Sequence, residues 1–211
     1  MKRRIAVVFF LLLLIVSGCA QQPQSLGTNE ITDYQGQRLT SAATLPENSI
    51  KGPPSMNMET YRLKVDGLVN SPQSYSYQEI LQNTPYTKLI VLHCVEGWDA
   101  AILWEGVKIS DLIESAQVQP QCNTVIFHSA DGYTTSLPLA YIRENDILLA
   151  FKENGEVLPN TLGYPFIVVA ENKLGYKWAR WVTELELSDN SEYKGFWEQR
   201  GYSNQADIKS N

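Results

Sequence analysis

Hydrophobic positions along the chain fall into short runs rather than long helical stripes. Tyr61, Leu63 and Val65 alternate with Arg62, Lys64 and Asp66, the period of a half-buried strand, and Gly67 ends it. Ser76 and Glu79 have the spacing of a capping box and open a helix over 77–82. Past Pro85, the apolar run 88–94 reads as a central strand buried on both faces and ending at Cys94. Residues 102–104 form another short strand. Ser110 is placed to cap a helix over 111–116 with acids in its first turn. Strands 123–128 and 133–137 flank the turn Asp131-Gly132, and Pro138 opens a brief helix over 139–143. Asn154-Gly155, between 147–152 and 156–158, is a two-residue hairpin signal. Residues 166–170 are a buried strand, and over 181–187 Trp181, Thr183, Leu185 and Leu187 alternate with Val182, Glu184 and Glu186. The aromatic tail, with Tyr193, Phe196, Trp197 and Tyr202, is expected to pack on the body. Many short strands with a few short helices predict an α+β domain of mixed sheets.

The N-terminus breaks this pattern. Lys2, Arg3 and Arg4 precede an unbroken apolar run, 5–16, and Val16-Ser17-Gly18-Cys19 has the form of a bacterial lipobox. The run is too short to span a bilayer, so 1–18 reads as a signal peptide cut before Cys19, whose thiol takes the lipid. Residues 19–57 are rich in Gln, Ser, Thr, Asn and Pro without periodicity and read as a lipidated flexible tether. Residues 58–205 remain as one domain with a sizeable core. The protein is expected to be exported and lipid-anchored on the extracytoplasmic face of a membrane. Arg3-Arg4 lacks a full twin-arginine setting, which leaves the export route open.

Charge narrows the partners. The chain carries a net −6, and the first 18 residues hold three of its 17 Lys and Arg but none of its 23 acids, leaving −9. That balance argues against nucleic acid and against an anionic membrane surface as partners. It also makes the cluster Lys173, Lys177 and Arg180, in a glycine-containing loop, stand out as a phosphate-binding candidate beside its plainer reading as a solvated turn.

With Cys19 assigned to lipid, Cys94 and Cys122 remain. In an exported protein the plain reading is a disulfide between them. A thiolate at Cys94 is also a soft ligand for a transition metal, and with His128 it would make a nucleophile–base pair. His93, by strand parity, points away from Cys94. With two His in the chain, a structural zinc site is not indicated. The hydroxyl-rich stretch after Gly132 (Tyr133, Thr134, Thr135, Ser136) is a weaker candidate for a pocket wall.

Taken together, several stretches resemble one family. Cys94-Val95-Glu96-Gly97-Trp98 is followed by Trp104-Glu105-Gly106-Val107 and Asp111-Leu112-Ile113. The opening Tyr61-Arg62-Leu63-Lys64-Val65, then Thr135-Ser136-Leu137-Pro138-Leu139, Gly163-Tyr164-Pro165-Phe166 and Gly175-Tyr176-Lys177-Trp178 complete the series. Over 61–187, in this order, they resemble the molybdopterin-binding domain of sulfite-oxidase-type enzymes. That family includes sulfite oxidases, plant nitrate reductases and the periplasmic methionine-sulfoxide reductase catalytic subunit.

The resemblance implies the sulfite-oxidase-type molybdopterin-binding fold, an oxidoreductase, and molybdenum-molybdopterin as cofactor. It implies that Cys94 is the protein thiolate on molybdenum, which is incompatible with a disulfide. Tyr133 falls where the family keeps a tyrosine beside the metal. Ser129 and His93 fall at cofactor-contacting positions, and Gly175, Tyr176, Lys177 and Arg180 form the cofactor-phosphate loop. Ile167 and His93 each stand where the family often has arginine. A sulfoxide or N-oxide therefore suits the pocket better than dianionic sulfite. No stretch resembles the heme or dimerisation domains of animal sulfite oxidases, so a separate cytochrome or heme membrane protein is expected to carry electrons. The competing expectation is a cofactor-free binding module on the same fold with a Cys94–Cys122 disulfide.

Overall fold

A computed structural model describes residues 29–208 of the chain. The expected signal peptide, 1–18, and Cys19 lie outside the described residues. The elements are β1 (Asp33–Tyr34), β2 (Gln37–Arg38), β3 (Leu63–Gly67), β4 (Gln73–Tyr75), α1 (Tyr77–Leu81), β5 (Tyr86–His93), β6 (Asp99–Lys108), α2 (Ile109–Ser115), β7 (Thr124–Ser129), β8 (Thr134–Pro138), α3 (Leu139–Glu144), β9 (Leu148–Glu153), β10 (Glu156–Val157), β11 (Ile167–Val169) and β12 (Val182–Ser188). This is the expected α+β architecture of mixed sheets with short helices.

Two five-stranded sheets carry the fold. One runs β10-β9-β6-β5 with β11 also on β9, all pairs antiparallel. The other runs β4-β3-β12-β7-β8, with β12 parallel to β3 and antiparallel to β7. A single buried cluster draws on both, with Leu63 and Val65 from β3, Phe127 from β7, Leu185 and Leu187 from β12, and Ile102 and Trp104 from β6. Local signals explain most elements. Ser76 and Glu79 close a reciprocal capping box on α1. Asn154 and Gly155 both adopt positive φ and turn β9 into β10, as a type I′ hairpin requires.

Three expectations are corrected. The 88–94 run is not a central strand: β5 is an edge, with Ile90 and Leu92 buried and Leu89 and Val91 half-buried. The interior place belongs to β6, ten residues long, whose bulge at Glu105/Gly106 and whose Gly106, where a Cβ would stand 2.4 Å from the Leu149 carbonyl, let it close on β9 while it pairs with β5. Secondly, α2 starts at Ile109, and its N-cap, Lys108, makes no side-chain cap bond, so Ser110 does not cap it.

Thirdly, residues from Ile31 onward are not a free tether but lie on the body. The Ile31 amide donates to the Asn154 carbonyl (2.8 Å), and the Thr40 amide to that of Ala101 (2.8 Å). Leu39 and Ala42 are buried. The fully buried Asn154 side chain makes this docking specific, donating to the Thr40 carbonyl (2.9 Å) and accepting from the Leu103 amide (3.0 Å). The part of the tether at 19–28 lies outside the described residues.

Candidate active site

The β5–β6 hairpin places the thiol. His93 pairs with Asp99 across the ladder, and the chain then turns through Cys94 to Trp98. The Cys94 amide donates to the Trp98 carbonyl (2.9 Å), the Gly97 amide returns to the Cys94 carbonyl (3.0 Å), and Gly97 takes a positive φ. This tight turn presents Cys94, half-buried, on the wall of a cavity of about 480 Å³. That volume falls within the range of roughly 300–1,000 Å³ typical of small-molecule sites.

Four parts of the chain complete the wall. The turn after β11 contributes Gly175, Tyr176, Trp178, Arg180 and Trp181. The β7–β8 turn contributes Asp131 and Tyr133, the tail contributes Phe196, Trp197 and Tyr202, and the N-terminal segment contributes Asn48, Ser49 and Ile50. Buried Asp131 ties two of these together, its carboxylate accepting from the amides of Ile50 (3.2 Å) and Tyr133 (2.9 Å). The Tyr133 hydroxyl donates to the Tyr176 carbonyl, and the Tyr176 hydroxyl to that of Ser203 (2.8 Å).

Arg180 is held by its neighbours. It donates to the Thr161 carbonyl (3.3 Å). A Cβ on Gly163, at φ +122°, would stand 2.9 Å from the Arg180 Cβ, and the Gly163 carbonyl accepts from the Trp181 amide. Glycine at 163 is thus a condition for this placement of the guanidinium.

The electrostatics follow from burial. Desolvation raises the Cys94 thiol pKa; a hydrogen bond from the Glu96 backbone opposes the rise, the Glu96 carboxylate adds to it, and Arg180 opposes it. An apo Cys94 is therefore a protonated thiol rather than a ready nucleophile. Desolvation lowers Arg180, while Glu47 and Cys94 favour its charge. Burial pushes Tyr133 far above the usual phenol range, so its hydroxyl stays protonated and neutral.

Cys94, Tyr133, Gly175, Tyr176 and Arg180 thus meet on one cavity. Three other candidate residues do not. Lys177 is wholly buried and points inward, bonded to Glu198 (2.6 Å), the Ser136 carbonyl (3.1 Å) and Asn204 (3.0 Å). This corrects the expectation that its ammonium meets a phosphate: the internal carboxylate has taken it. His93 turns its ring to the surface and bonds Asp99 (2.7 Å), the outcome its strand parity dictates, so its side chain is not a cofactor contact. Ser129 is buried at the end of β7 and is not on the cavity wall; its hydroxyl has no partner.

The competing chemistries also lack their geometry. Cys94 and Cys122 are both free thiols, and Cys122 lies buried against the Thr124 carbonyl. His128 bonds Glu186 (2.7 Å) away from the cavity, which removes the base from a Cys94–His128 pair. Sequence reasoning missed Asp131 as a tie, Ser49 and its neighbours, and the role of Phe196, Trp197 and Tyr202 as a wall. Only the aromatic crowding of the tail signalled any of this.

Comparison with known proteins bears on what this cavity holds. The model of the oxidoreductase molybdopterin binding domain matches residues 50–197. The uncharacterized oxidoreductase YuiH of Bacillus subtilis is 33% identical over 156 residues, 74% of this chain and 78% of that protein. The protein-methionine-sulfoxide reductase catalytic subunit MsrP of Ralstonia nicotianae is 29% identical over 61% of this chain and 44% of its own length. Among solved structures, the sulfane dehydrogenase SoxCD from Paracoccus pantotrophus superposes with a TM-score of 0.62 at 25% identity, over 68% of this chain and 41% of that one.

The cavity fits a molybdopterin on its own chemistry. Its wall offers one free thiol as a soft ligand and one guanidinium as an anion contact. It also carries a solvent-sealed Ser49 hydroxyl without a hydrogen-bond partner, which a polar guest would satisfy. With fold, cavity and family match in agreement, this chain belongs to the oxidoreductase molybdopterin-binding domain family and is an oxidoreductase whose cofactor is molybdenum-molybdopterin.

Proposed function

We propose that the protein is a lipid-anchored extracytoplasmic oxidoreductase that moves an oxygen atom to or from a small, uncharged S- or N-oxide-type substrate. One observation carries the substrate class: among the described residues, Arg180 is the only cation on the cavity wall, and it shares that wall with the acids Glu96 and Asp131. Arg180 would hold the phosphate of a bound molybdopterin, which would leave no cation on the wall for a dianion such as sulfite. A neutral oxide needs only a hydrogen-bond donor and apolar surface, and the aromatic walls supply the latter.

When bound, the cofactor supplies a centre that exchanges two electrons and an oxygen atom. The chain's own residues prepare for it. Cys94 would hold the metal as its thiolate, which the metal charge would favour against the burial that otherwise keeps the thiol protonated. Arg180, positioned by Gly163 and Thr161, would hold the phosphate. Tyr133 stays protonated and, bonded to the Tyr176 carbonyl, fixes the wall facing the thiol. Trp98, Trp178, Trp181 and Phe196 exclude water from the site. Electrons pass through a separate redox protein, a cytochrome or heme membrane protein. The word "subunit" in the MsrP name supports that arrangement.

Steady-state kinetics of the holoenzyme with a viologen dye test the substrate class. The expected result is turnover of dimethyl sulfoxide, methionine sulfoxide or trimethylamine N-oxide with kcat/KM at least about tenfold above that for sulfite with an artificial acceptor, the scale of one lost charge contact. A preference for sulfite would reverse the assignment. Mass spectrometry of the membrane-extracted protein tests the anchor: a diacylglyceryl group on Cys19, lost with membrane association in Cys19→Ser, is expected.

A further inference from the structure

On the outer face of the second sheet, three metal-ligating side chains converge where the active site does not reach. Glu184 and Glu186, two apart on β12, point to the same face by strand parity. His128 on β7 is the register partner of Glu184. The core-facing neighbours Phe127, Leu185 and Leu187 are buried, whereas His128, Glu184 and Glu186 are 31%, 27% and 38% exposed. The His128 ring nitrogen lies 2.7 Å from a Glu186 oxygen and 3.9 Å from a Glu184 oxygen, and the three ligand atoms all fall within 4.8 Å of one another. Donors about 2.0–2.1 Å from a tetrahedral zinc ion are roughly 3.3 Å apart, so the observed separations bracket the required one.

We propose that His128, Glu184 and Glu186 form a site for a divalent transition metal of the zinc class, distinct from the molybdenum site. Charge favours occupation. Two carboxylates face one imidazole, and Asp66 of β3, the register partner of Glu186, adds a further acid on the same face. Lys64, the register partner of Glu184, is exposed and forms no ion pair with either glutamate among the described residues. The mixed nitrogen and oxygen donors select zinc, nickel or copper over calcium, which takes oxygen ligands alone. The metal would clip β12 to β7 beside the bulge between Val182 and Glu184, a few residues from Arg180.

The test is a Zn²⁺ titration of the matured full-length protein against a chromophoric chelator, with ring-nitrogen NMR of both histidines. Wild type and Cys94→Ser are expected to bind one equivalent equally well. His128→Ala and Glu186→Gln should each weaken binding at least tenfold while melting as wild type does without zinc. The His128 ring signals should shift and those of His93 should not. Equal zinc affinity in wild type and both site variants, loss of binding in Cys94→Ser, or an unshifted His128 ring would each overturn the proposal. Should His128→Ala misfold, Glu184→Gln and the ring signals decide the matter alone.

Discussion

At the scale of single residues, burial sets the protonation states. Cys94 is a thiol because desolvation outweighs Arg180. Removing that cation by Arg180→Ala should raise the thiol pKa further, seen as slower alkylation by iodoacetamide at a fixed pH in the apo protein; unchanged alkylation would show that the two groups do not interact. Glu153 is a second case. It is buried on β9 with one oxygen unpartnered, and desolvation, then Glu30 and Glu156, push its pKa from 4.5 up to about 8. An acid whose folded value lies above its unfolded one holds its proton more tightly when folded. Its contribution to stability is therefore full below about 4.5 and is lost as pH rises through about 8. Thermal melts across this window should show wild-type stability falling with pH, and Glu153→Gln should flatten that fall. An identical slope in the variant would assign the effect elsewhere. Neither behaviour was legible in the sequence, because the burial of a side chain depends on what covers it.

At the scale of elements, the tail is fastened by one buried ion pair. Lys177 and Glu198 are both sealed from solvent, and Thr135 donates to the same Glu198 oxygen (2.6 Å). Gly195 allows this approach, since a Cβ there would lie 2.1 Å from the Thr134 carbonyl. Removing one partner of a buried pair strands the other, at a cost of about 3–5 kcal/mol. Lys177→Met should lower unfolding stability by that order in urea denaturation, and the double variant Lys177→Met/Glu198→Leu should recover most of it. A single variant as stable as wild type would contradict the role. The sequence marked Lys177 as a phosphate contact because it sits in a loop with two other cations. Its acid lies more than twenty residues on, in a segment whose only visible signal was aromatic. Local signals did better where the physics is local: the Ser76/Glu79 box and the Asn154-Gly155 turn both specify their elements. The strands at 88–94 and 102–104 were found, but their places were not, because an apolar run does not reveal whether its strand is at an edge.

At the scale of the whole molecule, the cavity is built from five distant stretches, and the sequence exposed only some of them. Cys94, Tyr133 and Arg180 were legible through motif resemblance. Asn48, Ser49 and Ile50 were not, because a polar, aperiodic segment reads as a linker until its anchoring points, Asn154 and Asp131, are seen. Hydrogen exchange checks this: the Thr40 and Ile50 amides should be protected in wild type, and Asp131→Ala should release Ile50 while sparing Thr40. Rapid exchange at both in wild type would mean that the segment is not part of the wall. Among the described residues no helix is long and apolar enough to cross a membrane. The central claim is that one protein sulfur, that of Cys94, binds the molybdenum. X-ray absorption at the molybdenum edge of the loaded protein tests it most directly. Wild type is predicted to show one more molybdenum–sulfur contact than Cys94→Ser, and an identical sulfur count in the two would contradict the account.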